Sequence, residues 1–358
     1  MMIAAPKSSR NDAERTWYLL PKPQDMNEAT ELYVKTIARA GESLGFTLNR
    51  VYSVRELPSR AKVVTLDCRT AFNIRMLRPR CRVWLWLQGA VPEECDLHFG
   101  RTVRNRLRIA CYSIFERSTI PRAQGTFMVS QAMRQHYLTK YGYSGASFVM
   151  PCVNQDLSEE AFSAPCKYAA PTFVYAGSMH RWQCFELSLE VFRKVRLQYP
   201  HARLTVLTGD SAAARAAVEK AGLADVEITR VPLDQLQDTL RAYKYGFVLR
   251  QQHVVNHVAT PTKVSSYMAA GVIPIMTTAV GDYAVRLGSM QHVIMNSDLN
   301  ADAIADKVLQ FETRVVSPHD ILAEYRQVFA DYFDPNKYIG EMANFLRSTG
   351  LSEGVCKL

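Results

Sequence analysis

The 358-residue sequence has no apolar run long enough to cross a lipid bilayer, and its short hydrophobic stretches are spread along the whole chain. Its first fifteen residues are polar and lack the apolar core of a signal peptide, so we expect a cytoplasmic protein, either soluble or peripheral to a membrane. No segment is of low complexity, and no solenoid-type repeat occurs. With 48% hydrophobic residues, the chain is long enough for two domains, each with its own core.

Several motifs that would indicate other chemistries are also missing. The eight cysteines form no Cys-x-x-Cys pair and have no metal-ligand spacing, which favours reduced, buried thiols. No Gly-x-Gly-x-x-Gly follows a predicted strand, which disfavours a dinucleotide-dependent oxidoreductase. No Asp-x-Asp occurs. His253 and His257 have a helical spacing that could pair them on a metal, but the flanking valines and Pro261 favour a loop. We therefore predict no catalytic metal and no cofactor.

Positive charge is concentrated in the first part of the chain. Residues 1–150 contain 23 Lys and Arg against 12 Asp and Glu, whereas residues 151–358 contain 20 against 22. The density of arginine between Arg75 and Arg108 favours an anionic surface or a phosphate-bearing ligand, although a solvated basic face is the simpler alternative. No zinc finger, RNA-binding aromatic motif or basic zipper is present, so we predict no nucleic-acid partner.

Short apolar segments alternate with amphipathic ones, a pattern typical of parallel sheets wrapped by helices. A stretch over residues 156–169 loses this periodicity and is rich in Ser, Pro and acids, so we interpret it as a linker. The alternation restarts at Thr172. This pattern predicts an α/β protein with domains over residues 1–155 and 170–330 and a helical tail over residues 331–358.

A candidate phosphate site lies in the second of these domains. Thr260, Pro261 and Thr262 are predicted to stand at a helix N-terminus, where free backbone N–H groups and the helix dipole favour an anion. Lys263 follows in the first turn, where a cation opposes the dipole. The position suggests an anion nearby, with a plain solvent-facing lysine as the alternative.

Three segments of this sequence resemble family 4 glycosyltransferases of the GT-B fold, in particular bacterial polysaccharide-assembly members. One segment of this sequence, which begins at Pro261 and reads Pro-Thr-Lys-Val-Ser-Ser-Tyr-Met-Ala-Ala-Gly-Val-Ile-Pro-Ile, resembles the donor-site segment of that family. The other two are the Tyr-Ala-Gly-Ser and Trp-Gln loop over residues 173–183, and Gln-Gly-Ala-Val-Pro-Glu-Glu over residues 88–94 with its Val-Ser-Gln-Ala-Met companion. The resemblance implies two Rossmann-like domains facing each other across a cleft, with the C-terminal helix packing back on the N-terminal domain.

The resemblance also implies roles at the donor site. Gly177 and Ser178 would let the backbone approach the donor diphosphate. Arg181 and Lys263 would neutralise charge on the leaving nucleoside diphosphate, the electrostatic work that a divalent metal does in other transferases. For Arg181, a surface arginine beside Trp182 is the alternative.

Two further donor-side candidates are Arg250, which follows an apolar strand, and Asp210, at a base- or ribose-side position. The family's helix carries a glutamate for the ribose hydroxyls where this sequence has Ser266. A serine loses the bidentate, charge-assisted grip, which is worth about 1.5–3 kcal/mol per strong bond. An inactive homologue is therefore an open alternative.

Acceptor-side candidates lie in the first domain. Gln88 and Gly89 end a predicted strand and should face the cleft. Glu93 or Glu94 could orient or deprotonate an acceptor hydroxyl if burial raises its pKa, with a helix-capping acid pair as the equal alternative. Weaker candidates at the first strand-to-helix turn are Asn27 and Glu28.

These features predict a metal-independent, hexosyltransferase-type glycosyltransferase of polysaccharide biosynthesis. Its donor would be a UDP- or GDP-linked sugar, and its acceptor a hydroxyl of a saccharide or lipid-linked intermediate. Retention at the anomeric carbon follows from the resemblance alone. The basic N-terminal half is expected to face an anionic membrane, where each basic residue contributes about 1 kcal/mol. The alternatives are a sugar-nucleotide epimerase of the same fold and a non-catalytic nucleotide-binding homologue.

Overall fold

The computed structural model describes residues 15–100 and 102–352. By contacts, the chain divides into two compact units. The first runs to Pro151 and takes in the residues from Pro335 onward, and the second is Cys152–Asp334. Each unit contains one six-stranded sheet whose strands are all parallel. The predicted α/β class with two Rossmann-like domains is confirmed.

The N-terminal sheet has the strand order β2-β1-β3-β4-β5-β6. Its strands are β1 (Thr16–Leu20), β2 (Thr47–Arg50), β3 (Lys62–Thr65), β4 (Arg82–Leu87), β5 (Gly125–Met128) and β6 (Ser147–Val149). The helices between them are α1 (Glu28–Glu42), α2 (Cys68–Leu77), α3 (Val91–Phe99), α4 (Val103–Thr119) and α5 (Gln131–Tyr141). The strand order reverses between β1 and β3. In sheets of this kind, ligands bind beyond the carboxyl ends of the strands at such a switch point.

The C-terminal sheet has the order β12-β11-β10-β7-β8-β9, with its switch point between β7 and β10. Its strands are β7 (Thr172–Ala176), β8 (Arg203–Leu207), β9 (Glu227–Thr229), β10 (Tyr245–Val248), β11 (Ile273–Thr277) and β12 (Ile294–Asn296). Its helices are α6 (Phe185–Gln198), α7 (Ser211–Lys220), α8 (Leu233–Leu240), α9 (Val254–His257), α10 (Thr262–Ala269), α11 (Gly281–Leu287), α12 (Ala301–Glu312) and α13 (Pro318–Val328). The inner strands are buried on both faces, as near-continuous apolar strands of parallel sheets usually are.

The last helix, α14 (Pro335–Ser348), packs on α1 of the N-terminal unit. Trp84 Nε1 on β4 donates to Thr349 Oγ1 at 2.8 Å, which satisfies an indole N–H in the core. Gly125 on β5 leaves room for Phe345, since an added Cβ would lie 2.6 Å from that ring. The expected return of the C-terminal helix to the N-terminal domain is confirmed.

The aperiodic segment over residues 156–169 packs within the C-terminal unit instead of bridging the units loosely. Phe162 is 1% exposed. Lys167 is buried, and its ammonium donates to the carbonyls of Ala270 (2.5 Å) and Arg241 (3.2 Å). The polar composition of the segment conceals these anchors, and the division by contacts falls earlier, after Pro151. Within the described ranges, no helix combines the length and apolarity needed to cross a bilayer.

Candidate functional site

Helix α10 is anchored over the switch point of the C-terminal sheet. The pairing of β7 with β10 ends at Val174 and Gly246. Beyond it, the Ala176 N–H donates to Tyr267 Oη at 2.8 Å. The Tyr267 ring lies so close to Gly246 that an added Cβ would stand 2.4 Å from it. These contacts hold α10 over the region where the two strands part.

The start of α10 carries no side-chain cap. Pro261 occupies the N-cap position in an extended conformation, without a capping hydrogen bond from its side chain. The preceding turn is fixed by its neighbours, since Thr260 Oγ1 accepts from the Cys152 N–H at 3.2 Å and Tyr283 Oη donates to the Pro261 carbonyl at 3.4 Å. The first N–H groups of a helix have no partner inside the helix, so this end favours an anion.

Lys263 lies against the glycine that follows β7. Its Nζ donates to Gln183 Oε1 at 2.7 Å and lies 4.5 Å from the centre of the Tyr175 ring. Gly177 has a φ of +143°, and an added Cβ would stand 3.0 Å from Lys263 Nζ. Burial, and then the charge of Arg250, lower the pKa of Lys263 well below its usual value. The ammonium is therefore held in a partly desolvated site beside another cation.

Arg250 follows β10 and is 8% exposed. Its backbone is fixed by Thr277, whose hydroxyl accepts from the Arg250 N–H at 3.1 Å and donates to the Arg250 carbonyl at 2.6 Å. Burial lowers the pKa of Arg250, and its Nε is buried without a hydrogen-bond partner. Among the described residues, no carboxylate forms an ion pair with Arg250 or Lys263. The site concentrates positive charge that none of the described carboxylates balances.

Gln183, the glutamine of the Trp-Gln motif to which the sequence assigned no role, connects the β7 loop to Lys263. Its Nε2 donates to Ser178 Oγ at 2.6 Å while its Oε1 accepts from the lysine. Asp210 is exposed at the start of α7, and its Oδ2 accepts from the Met179 N–H at 3.2 Å. The structure thus brings Ser178 and Lys263 together and places Asp210 at the rim of the same loop.

Arg181 and Ser266 lie differently from the other predicted donor-side residues. Arg181 is exposed, whereas Arg250 is buried and Lys263 is half-buried. Ser266 is 1% exposed, and its Oγ hydrogen-bonds Asn154 Oδ1 at 2.7 Å. The Ser266 hydroxyl thus forms its hydrogen bond within the C-terminal unit, and the partly exposed side chain beside it is Asn154. No sequence signal marks Asn154.

A cavity of about 400 Å³ lies at the carboxyl edge of the N-terminal sheet. Polar residues from the ends of β1, β3 and β4 and from the helices beside them contribute to its lining: Lys22, Asp25, Asp67, Arg69, Gln88, Gly89, Glu94, Tyr112, Glu116 and Tyr137. Lys22 Nζ forms an ion pair with Asp67 at 3.0 Å. Asp25 and Asp67 were not singled out from the sequence, although each closely follows a predicted strand. The predicted residues Gln88, Gly89 and Glu94 lie together here.

The two adjacent glutamates of α3 have different roles. Burial, and then the neighbouring charge of Glu93, raise the pKa of Glu94, whose carboxylate lies against Gly89 in the cavity. Burial also raises the pKa of Glu93, but hydrogen bonds from His136 and Lys140 outweigh it, so that pKa is lowered. The Lys140 Nζ to Glu93 distance is 2.7 Å. Glu94 is therefore the candidate proton acceptor, and Glu93 is an ion-pair residue.

The weaker acceptor-side candidates belong to the start of α1. Asn27 caps that helix, because its Oδ1 accepts from the Thr30 N–H at 3.0 Å, and it does not line the cavity. Glu28 begins the helix, and its side chain lies outside the described residues. Across residues 15–100 and 102–352, no three His, Cys, Asp or Glu side chains cluster as metal ligands.

Comparison with known proteins identifies the C-terminal unit. Residues 170–313 match the family described as Glycosyl transferases group 1. No match was found among curated proteins. The predicted glycosyltransferase resemblance is confirmed.

Solved structures with the same fold include three named enzymes. Sucrose-phosphate synthase from Thermosynechococcus elongatus superimposes with a TM-score of 0.69 at 12% identity, over 93% of this chain and 98% of that one. S. aureus TarM, in a complex with fondaparinux, α-GlcNAc-glycerol and UDP, gives 0.59 at 11% identity, over 81% of this chain and 56% of that one. The E. coli trehalose-6-phosphate protein bound with UDP-2-fluoro glucose gives 0.59 at 12% identity, over 91% and 78%. The chain thus spans just over half the length of TarM, and these similarities show the GT-B fold.

Proposed function

We propose that this chain, whose C-terminal unit carries a group 1 glycosyl transferase domain, moves a sugar from a nucleoside diphosphate to a hydroxyl group. One observation carries the proposal. Lys263 and Arg250 lie at the switch point of the C-terminal sheet, and no described carboxylate pairs with either. Removing cations from water without a counter-ion is unfavourable, so the site is completed by an anion. A diphosphate provides that charge beside a helix N-terminus.

The same groups support the bond-breaking step. When the bond between the sugar and the diphosphate breaks, negative charge grows on the leaving phosphate oxygen. Lys263, Arg250 and the first amides of α10 lie where they can stabilise that charge. Because two fixed cations do this work, we propose transfer without a divalent metal. Retention of the anomeric configuration is part of the same proposal and is supported by the family resemblance.

The cavity of the N-terminal unit is the proposed acceptor site. Glu94, whose pKa is raised by burial, is a stronger base than an ordinary glutamate and is suited to accept the proton of an attacking hydroxyl. Gln88 and Asp67 in the same lining can orient neighbouring hydroxyl groups. The TarM structure holds UDP with saccharides, and the E. coli structure holds a UDP-linked sugar analogue. Both support a UDP-linked donor and a saccharide acceptor here, with GDP-linked donors as the second set to test.

The test is incubation of the full chain with UDP- and GDP-linked sugars, each with and without a panel of saccharide acceptors. We expect diphosphate release that requires an acceptor and that persists in EDTA. The Lys263→Met variant should lose this release, whereas Lys220→Met, at an exposed position at the end of α7, should keep it. An isomerised donor without acceptor would identify an epimerase, and binding without turnover a non-catalytic homologue. Either result would overturn the proposal.

A further inference from the structure

Helix α4 exposes three large apolar side chains, although Tyr112 and Phe115 of the same helix are half-buried. Val103 is 76% exposed, Leu107 69% and Ile114 61%, and their spacing of four and seven residues places them on one side of the helix. The buried residues of the helix are polar: Asn105, Glu116 and Thr119. The apolar residues of a surface helix usually face the core, so the exposure of these three is unusual.

Arginines border the exposed apolar side. Arg104 lies on one flank of it and Arg106 and Arg117 on the other, and all three are exposed. The single acid of the helix, Glu116, is 2% exposed and paired with Lys140 at 2.8 Å. The outward surface of α4 therefore carries apolar groups and positive charge and no carboxylate of its own.

The end of α2 extends this surface. Met76 is 67% exposed and Leu77 60% exposed. Phe72, one turn before Met76, packs on Phe115 of α4 with 5.1 Å between ring centres, and Arg75 Nη1 donates to the Ser118 carbonyl at 3.4 Å. We call Val103, Leu107, Ile114, Met76 and Leu77 the apolar face. Several large apolar side chains exposed on two helices that pack together are typical of an interaction site.

We infer that the apolar face docks on an anionic lipid bilayer. Its leucine, isoleucine, valine and methionine side chains would enter the boundary between head groups and acyl chains, while the flanking arginines reach lipid phosphates. Charge complementarity selects this partner. A second copy of the chain would bring two arginine-bordered faces together, and a nucleic acid would leave the apolar groups without a partner.

The position of the acceptor cavity adds a consequence that rests on the proposed function. Tyr112 and Glu116 line that cavity and lie on the side of α4 opposite to Leu107 and Ile114. An α-helix is about 10 Å thick with its side chains. A bilayer contacting the apolar face would thus lie about one helix diameter from the cavity, close enough to present the head group of a lipid-linked acceptor.

Vesicle flotation tests the inference without any need for turnover. The full chain is mixed with phosphatidylcholine vesicles, with or without phosphatidylglycerol, at increasing salt concentration. We expect binding to the anionic vesicles that weakens with salt. The Leu107→Gln, Ile114→Gln double variant should bind these vesicles at least about tenfold more weakly than the unaltered chain. Its matched control is Leu197→Gln with Val285→Gln, which changes residues that are 76% and 85% exposed in the other unit. Equal binding by the two double variants would overturn the inference.

Three further measurements keep the result interpretable. The melting temperature of the α4 variant, and its activity on a soluble acceptor, should equal those of the unaltered chain. The exposed Cys111 of α4 can be labelled with an environment-sensitive dye in a Cys166→Ser, Cys356→Ser background. We expect a blue shift with anionic vesicles only. A dye that does not respond to anionic vesicles would refute membrane docking. Dimerisation without lipid, or RNA binding, that the unaltered chain shows and the α4 variant loses would refute it as well and assign the face to that partner.

Discussion

Replacing Lys263 with methionine should weaken nucleotide binding without lowering the stability of the unliganded fold. The ammonium is held beside Arg250 without a carboxylate partner, and its pKa is lowered by burial, so at neutral pH its charge destabilises the unliganded fold. Methionine retains a similar unbranched stem against the Tyr175 ring and removes that charge. We expect the unliganded variant to be at least as stable as the unaltered chain, although it loses the hydrogen bond to Gln183.

The effect on nucleotide binding should have the opposite sign. A hydrogen bond to a charged group contributes about 1.5–3 kcal/mol, so UDP or GDP should bind about 10- to 150-fold more weakly. At a ligand concentration of about 100 times the original Kd, stabilisation should fall from about 2.7 to about 0.3–1.4 kcal/mol. Thermal shift over a ligand titration and calorimetry measure both quantities, with Lys220→Met as the control. A variant that is less stable without ligand yet binds the nucleotide normally would refute the reasoning.

Three further predictions concern other parts of the molecule. Gly177→Ala places a Cβ 2.9 Å from Gln183 Oε1 at a φ of +143°, so calorimetry should show about tenfold weaker nucleotide binding. The control Gly209→Ala, whose added Cβ would meet open space, should bind the nucleotide as the unaltered chain does. Glu94→Gln should reduce kcat about 100-fold while leaving donor binding unchanged; unchanged kcat would remove it as the base. Lys167 has its pKa lowered to about 7 by burial and then by Arg241, so the folded state binds fewer protons than the unfolded state between that pH and the ordinary lysine pKa. The free energy of unfolding should therefore rise with pH above about 7, by at most about 1.4 kcal/mol per pH unit. Urea unfolding of Lys167→Met should show a smaller rise with pH than the unaltered chain, and an equal rise would contradict this.

Elements with strong local signals could be predicted from the sequence. Apolar periodicity in the sequence predicts a strand over Thr16–Leu20 and a helix over Phe185–Gln198, and the structure has both with these bounds; Pro21 and Pro200 follow them. The sequence also places Ser130 where it can cap the following helix, and its Oγ accepts from the Met133 N–H at the start of α5 at 2.9 Å. Helices α7 and α8 were not predicted. Their apolar stripes are narrow, with Ala214 and Val218 as the buried residues of α7.

The donor side of the site was more predictable than its supporting contacts. Residues that end strands or begin helices can be placed at one edge of a parallel sheet from the sequence, as Gly177, Arg250 and Lys263 were. Contacts between distant segments follow from the tertiary fold. Asn154 meets Ser266 only because the chain after Pro151 packs against α10. The choice between Glu93 and Glu94 likewise depends on Lys140, which α5 brings to one glutamate and not to the other.

The most direct measurement of the central claim is a crystal structure of the full chain with UDP or GDP. The account predicts a diphosphate at the edge between β7 and β10, with an oxygen within about 3 Å of Lys263 Nζ and the nucleotide beside Gly177. A nucleotide bound elsewhere, with the contact from Lys263 to Gln183 unchanged at 2.7 Å and the start of α10 unoccupied, would contradict it.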